Sequence, residues 1–174
     1  MSRTALLRIA LALLVTATLS GCAGYRVGDV SGRDLQGVRT VYVPMAHNAS
    51  LEPDIQATVT NDIIRRFNTD GTLVISQAGN ADSELDVTVV SVDSTPYRSS
   101  NTDLLTTTEY QLTVHASVTY VNRKLGRKIF ENTPVAGTTK FFTQSDLIEG
   151  ERQAFPLASE DLANNVVQLV TEGW

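Results

Sequence analysis

Residues 109–121 constrain this chain more than any other stretch. Tyr110, Leu112, Val114, Ala116, Val118 and Tyr120 alternate without a break with Gln111, Thr113, His115, Ser117 and Thr119. Successive side chains of a strand point to opposite faces, so a run this long fits only a sheet with one apolar and one polar face. A helix would scatter the same residues around its circumference. The rest of the chain must therefore supply a second layer to cover the apolar face.

Two segments have the right period for that layer. Ile55, Val59, Ile63 and Phe67 recur every fourth residue, with Ile64 beside them. This predicts an amphipathic helix, with Ser50 as its cap, Pro53 in its first turn and Asn68-Thr69-Asp70-Gly71 at its end. Leu162, Val166, Leu169 and Val170, widened by Ala163 and Val167, predict a closing helix that begins at a capping Ser159. Arg65 and Arg66 fit a polar face near the end of the first helix, where the dipole favours cations.

Further strands are expected at residues 38–45, 73–76, 83–92 and 128–131, the last resuming near 138–142. In the first, Val41, Val43 and Met45 share a face, Tyr42 takes the other, and Pro44 marks an edge or terminus. In the third, Leu85, Val87 and Val89 face one way and Val90 and Val92 the other, which implies a bulge or a segment buried on both sides. Gly79-Asn80 and residues 122–126 read as turns, and residues 94–108 as a long exposed polar loop. No internal repeat is present. The order predicts an α+β fold: a small mixed or antiparallel sheet with two helices packed on one face.

The N-terminus carries a different signal. Arg3 and Arg8 precede and interrupt an apolar stretch that runs to Val15, and small residues Ser20 and Gly21 follow. This is the layout of an export signal, too short for a spanning helix of roughly 20 apolar residues. Leu19-Ser20-Gly21-Cys22 resembles the lipobox of bacterial lipoproteins. It implies cleavage after residue 21 and acylation of Cys22, palmitate included. Residues 22–37 then read as a lipidated tether and 38–174 as a single α+β domain. Ala23, rather than Asp, after the cysteine favours the outer membrane.

Cys22 is the only cysteine, so no disulfide is available and packing alone holds the fold. Removal of residues 1–21 leaves 12 basic against 19 acidic residues, a net charge of −7. That balance argues against nucleic acid. His47, expected in a loop, and His115, on the polar face of the long strand, are the only histidines. With no remaining cysteine, nucleophile elbow or phosphate loop, the reading is no catalytic residue, no cofactor and no metal. Asp82, Glu84 and Asp86 share a strand face. Without a ligand-bearing loop they read as a solvated face rather than a calcium site. Trp174 reads as a packing anchor or interface residue, since too few strands exist for a membrane barrel.

Several fragments in their order resemble the LptE family of lipopolysaccharide-assembly lipoproteins. They are Gly24-Tyr25 after the lipobox, the strand Val38-Arg39-Thr40-Val41-Tyr42-Val43-Pro44 followed by Asn48, and Ile64-Arg65-Arg66-Phe67. Ala81-Asp82 opening a strand with Leu85, and the final helix ending at Trp174, complete the set. The resemblance implies a non-enzymatic outer-membrane lipoprotein that plugs an LptD-type β-barrel and helps carry lipopolysaccharide to the outer leaflet. It also implies lipopolysaccharide as a ligand. Arg123, Lys124, Arg127 and Lys128, four cations within six residues, are the candidate contacts for its phosphates. The same cluster also fits a solvated turn that protects a sheet edge. The alternative function is a periplasmic scaffold or activator lipoprotein that binds an envelope enzyme.

Overall fold

The chain contributes, in order, β1 (Thr40–Tyr42), β2 (His47–Asn48), α1 (Ile55–Asp70), β3 (Val74–Ile75), β4 (Ser83–Ser99), β5 (Thr107–Asn122), β6 (Arg127–Phe142) and α2 (Leu147–Glu172). The structure is a computed structural model that describes residues 35, 37–99, 107–142 and 146–172. The expected signal segment, Cys22, Gly24-Tyr25, most of the expected tether, the middle of the expected loop and Trp174 lie outside the described residues. The described residues form one compact unit. The sheet order is β3-β1-β4-β5-β6, with β2 also on β4. β1 and β2 run parallel to β4, β3 runs parallel to β1, and β4, β5 and β6 form an antiparallel meander. This is the expected α+β class with a mixed sheet.

The alternating residues of β5 do what their pattern demands. Leu112, Val114, Ala116, Val118 and Tyr120 are buried, together with Leu85, Val87 and Val89 of β4. The stripe Ile55, Val59, Ile63 and Phe67 of α1 and the face Ala158, Leu162, Ala163, Val166, Val167 and Val170 of α2 close over them. Each Val, Leu, Ile or Phe among them contributes about 1.5–3 kcal/mol by leaving water. A buried polar contact joins the helices: the Ser159 hydroxyl donates to Asp62 Oδ2 at 2.6 Å, and Arg65 pairs with Asp62 Oδ1 at 2.6 Å.

Several expectations need correction. Ser159 is not a cap, because α2 starts twelve residues earlier. Asp146 caps it, its carboxylate accepting the N–H groups of Ile148 and Glu149. Pro156 sits inside α2. Ser50 does not cap α1 either: its hydroxyl donates to Asn48 Oδ1, and the residue before the helix is Asp54 in the left-handed region. Gly71, also left-handed, closes α1 with an N–H bond to the Phe67 carbonyl, as the turn signal implied. β1 stops at Tyr42, short of Pro44, and Met45 is exposed rather than on the core face. His47 is not in a loop: it pairs with Thr88 of β4.

The phase switch in β4 is a bulge at Val90. It returns Val92 to the core side opposite Val114, so Val90 and Val92 do not share a face. The expected loop at 94–108 is largely strand. Ser94, Thr95, Pro96 and Arg98 pair with Leu112, Gln111, Tyr110 and Glu109. Likewise β6 is continuous through Asn132, Pro134 and Gly137. Pro134 is tolerated because its nitrogen, like the N–H of Thr138 that reaches Asp161, lies on the side away from β5, where a missing donor breaks no ladder bond. Gly137 is required for contact with the helix. A Cβ there would lie 2.2 Å from the Leu162 nitrogen and 2.3 Å from the Ala158 carbonyl oxygen.

Candidate functional site

The side of the sheet opposite the helices carries the polar half of the alternation. Gln111, Thr113, His115, Ser117 and Thr119 of β5 lie between Asp86, Thr88, Asp93 and Thr95 of β4 and Ala136, Thr138 and Lys140 of β6. Among the described residues no helix covers this face. A shallow depression of about 250 Å³ on this face is lined by Val90, His115, Ser117, Pro134 and Ala136. His115 Nε2 stands 3.6 Å from Asp93 Oδ2. At the far end Lys140 lies over the Tyr97 ring at 3.4 Å, and Arg98 stands 3.8 Å from Glu109.

The outer edge of β6 is partly closed by α2. Asp161 Oδ2 accepts the Thr138 N–H at 2.8 Å, and Asn165 donates to the Ala136 carbonyl at 2.9 Å. With Pro134 alongside, this segment offers few free donors to an incoming strand. The sheet therefore presents its polar face more than this edge.

The basic turn lies at the opposite end from Tyr97. Asn122 Oδ1 accepts the Leu125 N–H at 3.0 Å, and Gly126 supplies the positive φ that closes the hairpin. Arg123, Lys124, Arg127 and Lys128 are all brought together here, and ion pairs hold Arg123, Lys124 and Lys128. Arg123 pairs with Glu84 at 2.7 Å, Lys124 with Asp82 at 2.9 Å, and Lys128 with Glu131. Arg123 also lies 5.9 Å over the Tyr42 ring.

Asp82 is the residue that sequence reading undervalued. One carboxylate oxygen accepts the N–H groups of Arg39 at 2.8 Å and Thr40 at 3.2 Å, while the other faces Lys124. Lys124 also donates to the Gly37 carbonyl. These bonds, the Arg39 N–H foremost and then Lys124, hold the Asp82 carboxyl at about 2. Asp82 thus ties the entry of β1 to the start of β4 and the β5–β6 turn. Asp86, by contrast, is raised, mainly by burial and then by Glu84. Asp82 and Glu84 are thus held by ion pairs and backbone bonds, and Asp86 is partly buried beside them. No group of three or more metal-binding side chains occurs among the described residues.

A family model described as lipopolysaccharide-assembly, LptE, matches residues 38–170. The curated proteins gave no significant match. Among solved structures, the hypothetical protein CT253 of Chlamydia trachomatis is similar at a TM-score of 0.56. It is 12% identical, and the match covers 79% of this chain and 97% of that one. Uncharacterized lipoprotein B of Nitrosomonas europaea is similar at 0.50 and 9% identity, over 85% of this chain and 86% of its own. At these identities the likeness speaks for the fold alone.

Proposed function

The chain belongs to the LptE family of lipopolysaccharide assembly, and from that premise we propose that it is a non-enzymatic lipoprotein of the outer membrane that plugs an LptD-like β-barrel and helps deliver lipopolysaccharide to the outer leaflet. In this reading residues 1–21 are removed, Cys22 carries the acyl chains, and residues 22–37 tether the domain on the periplasmic side. More than one acyl chain is needed for stable anchoring.

The observation that carries the reading is the uncovered polar face of the β4–β5–β6 meander. The lumen of a large membrane barrel is polar and wet. A face built from Thr, Ser, Gln and His can exchange water for lumen hydrogen bonds without stranding a large apolar surface. Its length also suits the role. β5 has 16 residues, hence about 50 Å at 3.4 Å per residue, against an apolar barrel band about 25 Å tall.

The proposed phosphate contacts take a narrower form. Arg123, Lys124 and Lys128 would each have to exchange a carboxylate for a phosphate, and the Lys128–Glu131 pair, the most exposed of the three, exchanges most easily. Isolation of the tagged protein from membranes in mild detergent tests the whole reading. A large β-barrel in equal amount supports it. A soluble periplasmic enzyme and no barrel would replace it with the scaffold alternative.

A further inference from the structure

Two irregularities of the meander border one place on its polar face. In β4 the extra residue of the bulge is Val90, set between Val89, opposite Ala116, and Ser91, opposite His115. Val90 is 49% exposed. Without it, Thr88 and Ser91 would follow one another opposite Ser117 and His115, and this place would have no apolar wall on the β4 side. In β6, Glu131 and Asn132 stand against the single Thr119, and Asn132 takes a left-handed φ of 49°. The Asn132 N–H donates to Thr119 Oγ1 at 3.1 Å, which holds that second bulge. Bulges re-aim side chains and gather beside functional sites. Non-glycine residues with positive φ cluster at ligand clamps.

The depression of about 250 Å³ lies between the two bulges. His115 and Ser117 of β5 form its floor, Val90 one wall, and Asn132, Pro134 and Ala136 the other. Pockets for free small molecules usually enclose about 300–1,000 Å³, so this one has the size of a single large side chain. Its walls stand on strands two spacings apart, about 9.5 Å. A flat ring in contact with both sides needs about 7–8 Å. His115, Ser117 and Asn132 place hydrogen-bonding groups around it, and none of the lining residues is a carboxylate. Asp93, beyond His115, already accepts from the Ser91 hydroxyl at 2.8 Å. An entering lysine or arginine would therefore lose water without a ready counter-ion. A phenol suits the lining better: its ring is apolar, and its hydroxyl needs a partner when buried.

We propose that this depression is a socket for one tyrosine side chain of the barrel partner. The ring lies between Val90 and Pro134, and the hydroxyl bonds within the group of His115, Ser117 and Asn132. The inference rests on the reading of this face as the barrel contact, with which the socket is continuous. It assigns where on a broad, hydrated surface the binding energy is concentrated. Polar groups that trade water for lumen contacts gain little each. Interfaces are held mainly by a few aromatic anchors seated in pockets.

The test uses the tagged full-length lipoprotein, isolated from membranes in mild detergent with the barrel that accompanies it. Val90→Ser with Pro134→Ser removes both apolar walls. Thr113→Ala with Thr138→Ala trims the same face outside the depression. Barrel recovery is expected to fall on the order of tenfold in the first pair and to stay within about twofold in the second. A photo-crosslinker in place of Val90 gives a second measurement that does not depend on weakened binding, and the captured barrel peptide should carry its adduct on or next to a tyrosine. Equal recovery with the two pairs overturns the socket and keeps the barrel reading. An adduct on a barrel peptide with no tyrosine at that point overturns the occupant. Capture of lipopolysaccharide alone at position 90 overturns the assignment to a protein side chain. Absence of any barrel beside the natural protein overturns the barrel reading, and the socket with it.

Discussion

Gly137→Ala should be among the most damaging single-methyl changes in this protein. The new Cβ would lie 2.2 Å from the Leu162 nitrogen, 2.3 Å from the Ala158 oxygen and 2.5 Å from Leu162 Cα. All three are backbone atoms of α2, so no side chain can swing aside. Ordinary contact needs roughly 3.5 Å, and the helix must therefore back away by about 1 Å. Overpacking of this kind costs about 1–3 kcal/mol. The same movement stretches the Asp161 and Asn165 bonds to the β6 edge, worth about 1 kcal/mol each. Reduced freedom of the unfolded chain returns about 0.4–1 kcal/mol. The net loss is about 2–4 kcal/mol, or some 4–16 °C in Tm for a domain of this size. Chemical denaturation at constant m measures it, with Thr138→Ala as a control that keeps the backbone bond. A loss below about 0.5 kcal/mol, the usual scale of a surface change, would refute the reasoning.

Other consequences are open to direct measurement. Because the Asp82 carboxyl is held at about 2, below its ordinary 3.8, its stabilisation is complete above about pH 4 and is lost as pH falls through 2. Denaturant midpoints should show this drop between pH 4 and 2 in the natural protein and a smaller one in Asp82→Asn, which is already weaker at pH 6; parallel curves would contradict the clamp. Ser159→Ala should cost about 1–2 kcal/mol by leaving Asp62 Oδ2 without its donor, and adding Asp62→Leu should recover part of it. No loss in the single variant would remove the interhelical bridge. Asp146→Ala should cost about 1 kcal/mol and fray the start of α2, read as faster amide exchange at Ile148 and Glu149.

What was legible in the sequence is what local pattern encodes. The alternation of β5, the four-residue stripe of α1 and the Gly71 stop each rest on neighbours within a turn or two. The bulge at Val90 showed as a change of phase. The missed features depend on distant parts of the chain. Strand pairing beyond Asp93 leaves the helical cover behind, so there was no core to impose alternation and the residues read as loop. The start of α2 did carry a local signal, Asp146 with Glu149 three residues on, but Pro156 and the polar first turns obscured it. Ser159 is helix-favouring as a cap in sequence and a tertiary donor in the fold. The need for glycine at 137 exists only because α2 returns to lie on β6. The roles of Asp82, 43 residues from Arg39 in sequence, and of the three ion-paired turn cations likewise appear only in three dimensions.

The central claim is that the polar face of the meander meets the interior of a membrane barrel. Site-specific photo-crosslinking in living cells tests it most directly, with the cross-linker at Thr113 or Ser117 on that face. An adduct with a large outer-membrane β-barrel is expected at both positions. Adducts with a soluble periplasmic protein, or none at either position while the protein is folded and membrane-bound, would contradict it.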